Sequence, residues 1–404
     1  MKPAPPSATA LSLVAAIVLT GCAWGPKRSP VPEQLTGQAQ VPGLPGVRVI
    51  LDPFAVDVLR IEASLAEAAA LARDRTGPMT VLAISGGGSH GAFGAGLLNG
   101  WTETGTRPEF DIVAGISTGA LIAPFAFLGP DFDDELKTGY TTITDKDIYR
   151  KRDIFGLLNR WDSAMDTGPL LKTLYRSFDE PVLARIAAEH RRGRRLYVGT
   201  TDLDAQALVS WDMGAIAASG QPGARDLFCR VLLASASIPG AFPPVEIEVE
   251  ADGRRYREMH ADGGCLTQVF GMGLLGKLMS MSGRSEGRMY VLRNSQFTRE
   301  WEVTKRTLPA LAGRAISTLI KSNGLGDIYR SYVVSLADGV ELNMTSIPAT
   351  FVAGETKGMF DMAFMNRLYQ EGYELARTGK AWEHLPPGVQ AMMESRPRPA
   401  ANQD

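Results

Sequence analysis

Three groups in this chain of 404 residues have the types and spacing for acyl transfer: a serine between glycines, an aspartate before glycines, and a glycine-rich turn. The serine is Ser117, in Gly115-Ile116-Ser117-Thr118-Gly119. A serine hydroxyl at its ordinary pKa is a weak nucleophile and needs a base within hydrogen-bond reach. Asp262, in Ala261-Asp262-Gly263-Gly264, is the candidate, although an Asp-Gly-Gly taken alone reads equally as a turn. The third group is Ser85-Gly86-Gly87-Gly88-Ser89-His90-Gly91. Glycines there let backbone N–H groups around Gly86, Gly87 and Gly88 converge beside a helix N-terminus, which suits an oxyanion or a phosphate.

These groups need elements to hold them. Met79 to Ile84 is a strand-like run directly before the glycine turn, and Ala92 to Trp101 follows it as a helix with Phe93, Leu97 and Trp101 on one face. Asp111 to Ala114 is a second strand, leading to Ser117; Thr118 to Leu128 is apolar all round and so reads as a buried helix. Strand, turn and helix in that order are the context of a nucleophile elbow. The turn strains the serine backbone, and side chains at positions 115 and 119 would strike the adjoining strand or helix. Leu196 to Leu203 and Met289 to Arg293 read as further buried strands, so the alternation predicts an α/β fold with a largely parallel sheet. Gly86-x-Gly88-x-x-Gly91 also satisfies the dinucleotide fingerprint, with Glu109 and Asp111 about 20 residues on. Asp111, however, opens the strand that leads into Ser117 instead of closing one, which argues against a nucleotide.

A fourth run is Ala234-Ser235-Ala236-Ser237-Ile238-Pro239-Gly240-Ala241-Phe242-Pro243-Pro244. Together with the glycine loop, the elbow and the Asp-Gly-Gly, it resembles the patatin-like phospholipase family over most of the body. The resemblance implies a three-layer α/β/α fold with a mostly parallel central sheet. It also implies a Ser–Asp dyad that hydrolyses acyl esters of lipids through an acyl-enzyme, without a histidine, metal or other cofactor. Carried onto this chain, Ser117 is the nucleophile, Asp262 the base and Gly86, Gly87 and Gly88 the oxyanion hole, with a phospholipid or lysophospholipid as substrate. Two positions depart from the family pattern. His90 stands where many members carry Arg or Lys, and Cys265-Leu266-Thr267-Gln268-Val269 replaces an Asn-Pro-containing continuation.

The N-terminus carries a different signal. Lys2 is the only charge before Lys27, and the apolar run Leu11 to Leu19 ends in Leu19-Thr20-Gly21-Cys22, which resembles a bacterial lipobox. Residues 1–21 are then expected as a lipoprotein signal peptide and Cys22 as the lipid-bearing residue, which places the protein on a membrane surface of the cell envelope. Ala23 favours the outer membrane. Residues 22–50, rich in Pro and Gly, are expected as a tether, 51–385 as the hydrolase body and 386–404 as a polar tail. Composition agrees with a globular body: 45% hydrophobic and 21% charged residues exclude a disordered polymer, a collagen-like fibre and a polytopic membrane protein. Forty-two basic against 44 acidic side chains give no electrostatic case for nucleic acid.

Several alternatives stay open at this level. Ser117, Asp262 and His384 stand in the chain order of a Ser–His–Asp esterase. His260 shares a strand side with Asp262. Cys229 and Cys265 are either a disulfide or two buried thiols. The run His190 to Arg195 is either a headgroup-binding patch or a solvated loop, and Phe270 to Met281 either an acyl pocket or a core helix. Gly129 to Pro169 is the stretch expected to cap the site. A non-catalytic, lipid-binding envelope lipoprotein is the competing class of function.

Overall fold

The computed structural model describes residues 28–51, 58–72, 75–152, 162–301, 303–389 and 392. One mixed sheet is formed by β1 (Arg48–Leu51), β2 (Met79–Ile84), β3 (Ile112–Ile116), β4 (Arg195–Asp202), β5 (Ala207–Asp212), β6 (Val245–Ala251), β7 (Arg254–Asp262), β8 (Gly287–Arg293) and β9 (Val340–Ser346); the central β2, β3 and β4 are buried on both faces, whereas β6 and β7 alternate buried and exposed residues over much of their length. The order is β1-β5-β4-β3-β2-β8-β9, with the hairpin β6-β7 joined to β4 through β7. Strands β9, β8, β2, β3 and β4 run parallel; β1, β5, β7 and β6 add antiparallel pairings.

Alternate residues of the central strands feed two cores. Leu82 and Ile84 face Phe93 and Leu97 of helix α2 (Gly91–Glu103) and Phe127 of α3 (Thr118–Leu128). Val81 and Ala83 face the other layer, with Leu65 of α1 (Val58–Leu71), Leu275 and Leu278 of α5 (Met272–Ser282) and Ile328 of α6 (Leu308–Asp338). Helix α4 (Ala224–Ser235) lies in the first layer, and α7 (Met362–Arg377) packs there against α2. The result is the three-layer α/β/α arrangement.

The segment 22–50 corrects the expected tether. From Arg28 onward it is built into the body: Arg28 pairs with Asp204, Gln40 bridges to Glu250, Ala39 is fully buried, and β1 pairs antiparallel with β5. Arg48 is buried inside that strand because Glu258, 2.9 Å away, supplies its counter-charge from 210 residues further along. Residues 1–21 and Cys22 lie outside the described residues, as does most of 386–404; within the tail, the Pro387 carbonyl accepts from the Tyr329 hydroxyl.

The basic run is neither a headgroup patch nor a solvated loop. Arg191 ends a helix from Glu180, while Arg194 and Arg195 are buried and pair with Glu189 at 3.0 Å and Glu67 at 3.1 Å. Phe270 to Met281 is mostly helix α5, whose Leu274, Leu275, Leu278 and Met279 are core. Cys229 and Cys265 are free thiols. Among the described residues no helix is long and apolar enough to cross a membrane.

Candidate active site

One edge of β4 has two successive neighbours. β3 runs beside it as far as the pair Ile116–Gly199; at the next residue, Thr200, the neighbour is Asp262, at the end of β7 and arriving from the opposite direction. Ser117 follows Ile116, so the two strand ends deliver a hydroxyl and a carboxyl to one place. The Ser117 hydroxyl donates to the Asp262 carboxylate. Both residues are almost wholly buried, at 6% and 4% exposed.

The elbow is strained and clasped. Ser117 has φ 54° and ψ −125°, a left-handed conformation that side chains disfavour. A Cβ at Gly115 would enter the Gly119 carbonyl, and one at Gly119 would enter the Ile84 carbonyl, so neither position admits a side chain without moving backbone. The Ser117 N–H donates to Ser235 Oγ at 2.9 Å, and that hydroxyl donates onward to the Gly199 carbonyl at 2.7 Å. The Asp262 N–H donates to the Ser237 carbonyl at 2.9 Å. Thus the Ala234 to Pro244 run, to which the sequence assigned no task, fixes the serine and the aspartate from one stretch. Tyr140 steadies the next residue, its hydroxyl 2.6 Å from Thr118 Oγ1 and 3.0 Å from the Thr118 carbonyl.

Burial pushes the Asp262 carboxyl up to about 6, while hydrogen bonds from Ser117 and from the Gly264 N–H, at 2.7 Å, pull it down. It is therefore ionised near neutrality and more basic than a carboxylate in water. No histidine among the described residues hydrogen-bonds to it. His260 is committed elsewhere, with Nε2 3.2 Å from Glu258 and Nδ1 2.9 Å from Thr200 Oγ1, which also accepts from Trp211 Nε1 at 2.8 Å. His384 sits beyond β9 with Nδ1 3.2 Å from the Leu342 carbonyl and does not line the cavity. The Ser–His–Asp arrangement is not assembled, because chain order alone does not bring residue 384 to the elbow.

The glycine turn is pinned from β8. Asn294, the residue after that strand, donates its N–H to Ser85 Oγ and its amide to the Ser85 carbonyl, both at 2.9 Å, and accepts from the Gly94 N–H at 3.1 Å. Its backbone also closes on Gly87, leaving no room there for a Cβ. Sequence reasoning passed over Asn294; the signal was a polar residue just past the C-terminal end of a parallel strand, where sites in such sheets form. His90 is no substitute for a fixed cation. Its Nδ1 is 3.1 Å from the Gly87 carbonyl, its ring meets Phe364 edge-on at 5.3 Å, and burial lowers its pKa. Among the cations that line the cavity, Arg293, next to Asn294, is buried and 5.2 Å from the Phe297 ring.

The dyad and Gly86, Gly87 and Gly88 open into a cavity of about 920 Å³. Leu121, Phe125, Leu170, Leu174, Phe178 and Phe242 give part of its wall an apolar lining. Tyr140, Ile143 and Ile148, from the stretch expected as a cap, form part of the wall, while residues 153–161 lie outside the described residues. Arg299, Glu300, Trp301, Arg314 and Lys321 also line the cavity, with Lys321 paired to Glu300. The cavity can therefore take an apolar chain against the first group and a polar group against the second, with the dyad and the glycine turn in its wall.

Residues 82–270, which hold the glycine turn, the elbow, Ser235 and Asp262, match the family described as patatin-like phospholipase. No curated protein matches the chain significantly. Among solved structures it is similar to VipD from Legionella pneumophila at 12% identity, with a TM-score of 0.34, covering 74% of this chain and 66% of that one. A likeness so distant bears on neither activity nor partners.

Proposed function

We propose that this chain, which carries a patatin-like phospholipase domain, is a serine lipid acyl hydrolase of the phospholipase A or lysophospholipase type. The observation that carries the reading is the hydrogen bond from Ser117 to a buried, basic Asp262 in the wall of a largely apolar cavity. Ser117 Oγ attacks the ester carbonyl as its proton passes to Asp262. The oxyanion collects N–H groups of the Gly86–Gly88 turn and the positive end of α2. Collapse breaks the ester bond, and Asp262 returns the proton to the departing alcohol, leaving an acyl-enzyme that water hydrolyses by the same exchange. A cavity of about 920 Å³ lies at the upper end of ligand sites, which run from about 300 to 1,000 Å³. Loss of a single oxyanion donor typically lowers turnover about 10²–10³-fold, so the turn carries a large part of the catalysis. The reading extends to lipidation of Cys22 and attachment to an envelope membrane, on the strength of Leu19-Thr20-Gly21-Cys22.

Fluorophosphonate labelling coupled to fatty-acid release from phospholipid and monoacyl ester tests the chemistry. Labelling should vanish in Ser117→Ala, and release should fall about 10⁴-fold or more there and nearly as far in Asp262→Ala. A folded protein that neither labels nor releases acid from micelles or bilayers is a binding module instead. Incorporation of labelled palmitate into wild type and its loss in Cys22→Ser tests the anchor separately.

A further inference from the structure

Helix α6 is built inside out. Its 31 residues run from Leu308 to Asp338, yet no described side chain between Leu308 and Asn323 is buried; the first buried residue is Gly324. At 100° per residue, Leu308, Leu311, Ala315, Ile316 and Leu319 fall within one sector of about 140°. All of them are exposed, Leu308 at 81%. Arg314, Ser317 and Lys321 occupy the opposite sector and line the cavity. There Arg314 donates to the Glu300 carbonyl, and Lys321 pairs with the Glu300 carboxylate at 2.9 Å. A helix that packs on its own protein turns its apolar stripe inward; this one turns its polar side to the cavity and its leucines to the outside. Trp301, on the strap before the helix, is 87% exposed and also borders the cavity.

We propose that Trp301 and the outer stripe of α6 form a surface that lies in the headgroup and acyl boundary of an anionic lipid bilayer, with the cavity opening onto the membrane. The proposal rests on the lipid-hydrolase reading above for its choice of lipid as occupant. Three observations favour a bilayer. First, the stripe from Leu308 to Leu319 is about 17 Å long and flanked by an exposed tryptophan, the composition of a helix that lies in an interface and does not cross it. Second, exposed Arg299, Lys305 and Arg306 outnumber Glu300 and Glu302 over the same stretch, and Glu300 is paired with Lys321, so a small excess of positive charge stands where anionic headgroups would meet it. A second copy docked through the same patch by a two-fold axis would bring like-charged flanks together. Third, Trp301 belongs to the exposed patch and also lines the cavity, so the patch and the cavity mouth share a residue.

The test uses the full chain with vesicles of phosphatidylcholine and phosphatidylglycerol whose acyl chains are brominated. In a Ser117→Ala background, where lipid stays intact, brominated vesicles should quench a fluorescence component that is absent when Trp301→Phe is added. In otherwise wild-type protein, the triple change Leu308→Ser, Leu311→Ser, Leu319→Ser should lower hydrolysis of vesicle phospholipid at least about tenfold, with hydrolysis of a water-soluble short-chain ester unchanged. Equal quenching with and without Trp301, or equal effects on vesicle and soluble substrates, overturns the proposal. Self-association that the triple change abolishes, without vesicle quenching, assigns the patch to a second copy and overturns it as well. If the wild type fails on the soluble ester, the hydrolase reading falls while the quenching arm still decides the surface.

Discussion

At Ser117 a neighbour fixes every freedom of the chain: Ser235 holds the N–H, Asp262 the hydroxyl, and backbone carbonyls close on the glycines at either side. Along Leu308 to Asn323, which contributes to the wall of the same cavity, no described side chain is buried. Both stretches are rich in small and apolar residues, so composition does not separate them. The elbow is determined by contacts inside the protein, whereas the first half of α6 makes its apolar contacts with nothing inside it. One region is built to hold atoms still for a reaction; the other is finished only by something outside.

The contrast can be attacked from the elbow first. Asp262→Asn should lower kcat/KM about 10³–10⁴-fold, and wild-type kcat/KM should rise with pH through about 6 as the carboxyl ionises. Stability should move the other way. The folded pKa, about 6, lies above the unfolded value of about 3.9, so the favourable contribution is complete below about pH 4 and lost as pH rises through about 6. At pH 8 the asparagine variant should then be more stable than wild type by up to about 3 kcal/mol, with the gap closing near pH 4 in denaturant titrations. An equal gap at both pH values would remove burial of charge as its cause.

Gly119→Ala should cost about 3 kcal/mol or more, because the new methyl meets the Ile84 backbone and not a side chain that can turn away. A denaturant midpoint like that of wild type would break the argument that the elbow is fixed by contact. Ser235→Ala should cost about 1–2 kcal/mol and lower kcat about tenfold, since it orphans the Ser117 N–H behind the nucleophile. A change in KM alone would show that Ser235 does not position the serine. The smallest effect sharpens the other side. Gly313, within α6, has open space where a Cβ would go, and Gly313→Ala should raise stability by about 0.5–1 kcal/mol through helix propensity alone. A loss of stability there would reveal a contact that the exposed helix lacks in this account.

Much of this could be read along the chain. Thr118–Leu128 and Met79–Ile84 have the boundaries that their patterns predict, and the serine, the aspartate and the three glycines converge because each sits at a strand end marked by its own local motif. What was hidden depends on partners far away in sequence. Asn294 matters through Ser85, 209 residues earlier, and Arg48 reads as a loop residue until Glu258 neutralises it. The stripe on α6 is visible as a period, but period tells only that a helix has an apolar side. Which way that side faces depends on the rest of the fold.

The early burial of the N-terminal segment sets the reach of the proposed anchor. Only residues 23–27, six residue steps, separate Cys22 from Arg28, which is already paired with Asp204 just past the C-terminal end of β4, the end of the sheet where Ser117 and Asp262 meet. Six steps span at most about 20 Å, less than half the width of a body this size, for which the radius of gyration is also about 20 Å. An acylated Cys22 would thus act as a short leash fastened at the catalytic end. Tumbling away from the surface would be restricted, and the search for substrate would become a two-dimensional one at high local concentration.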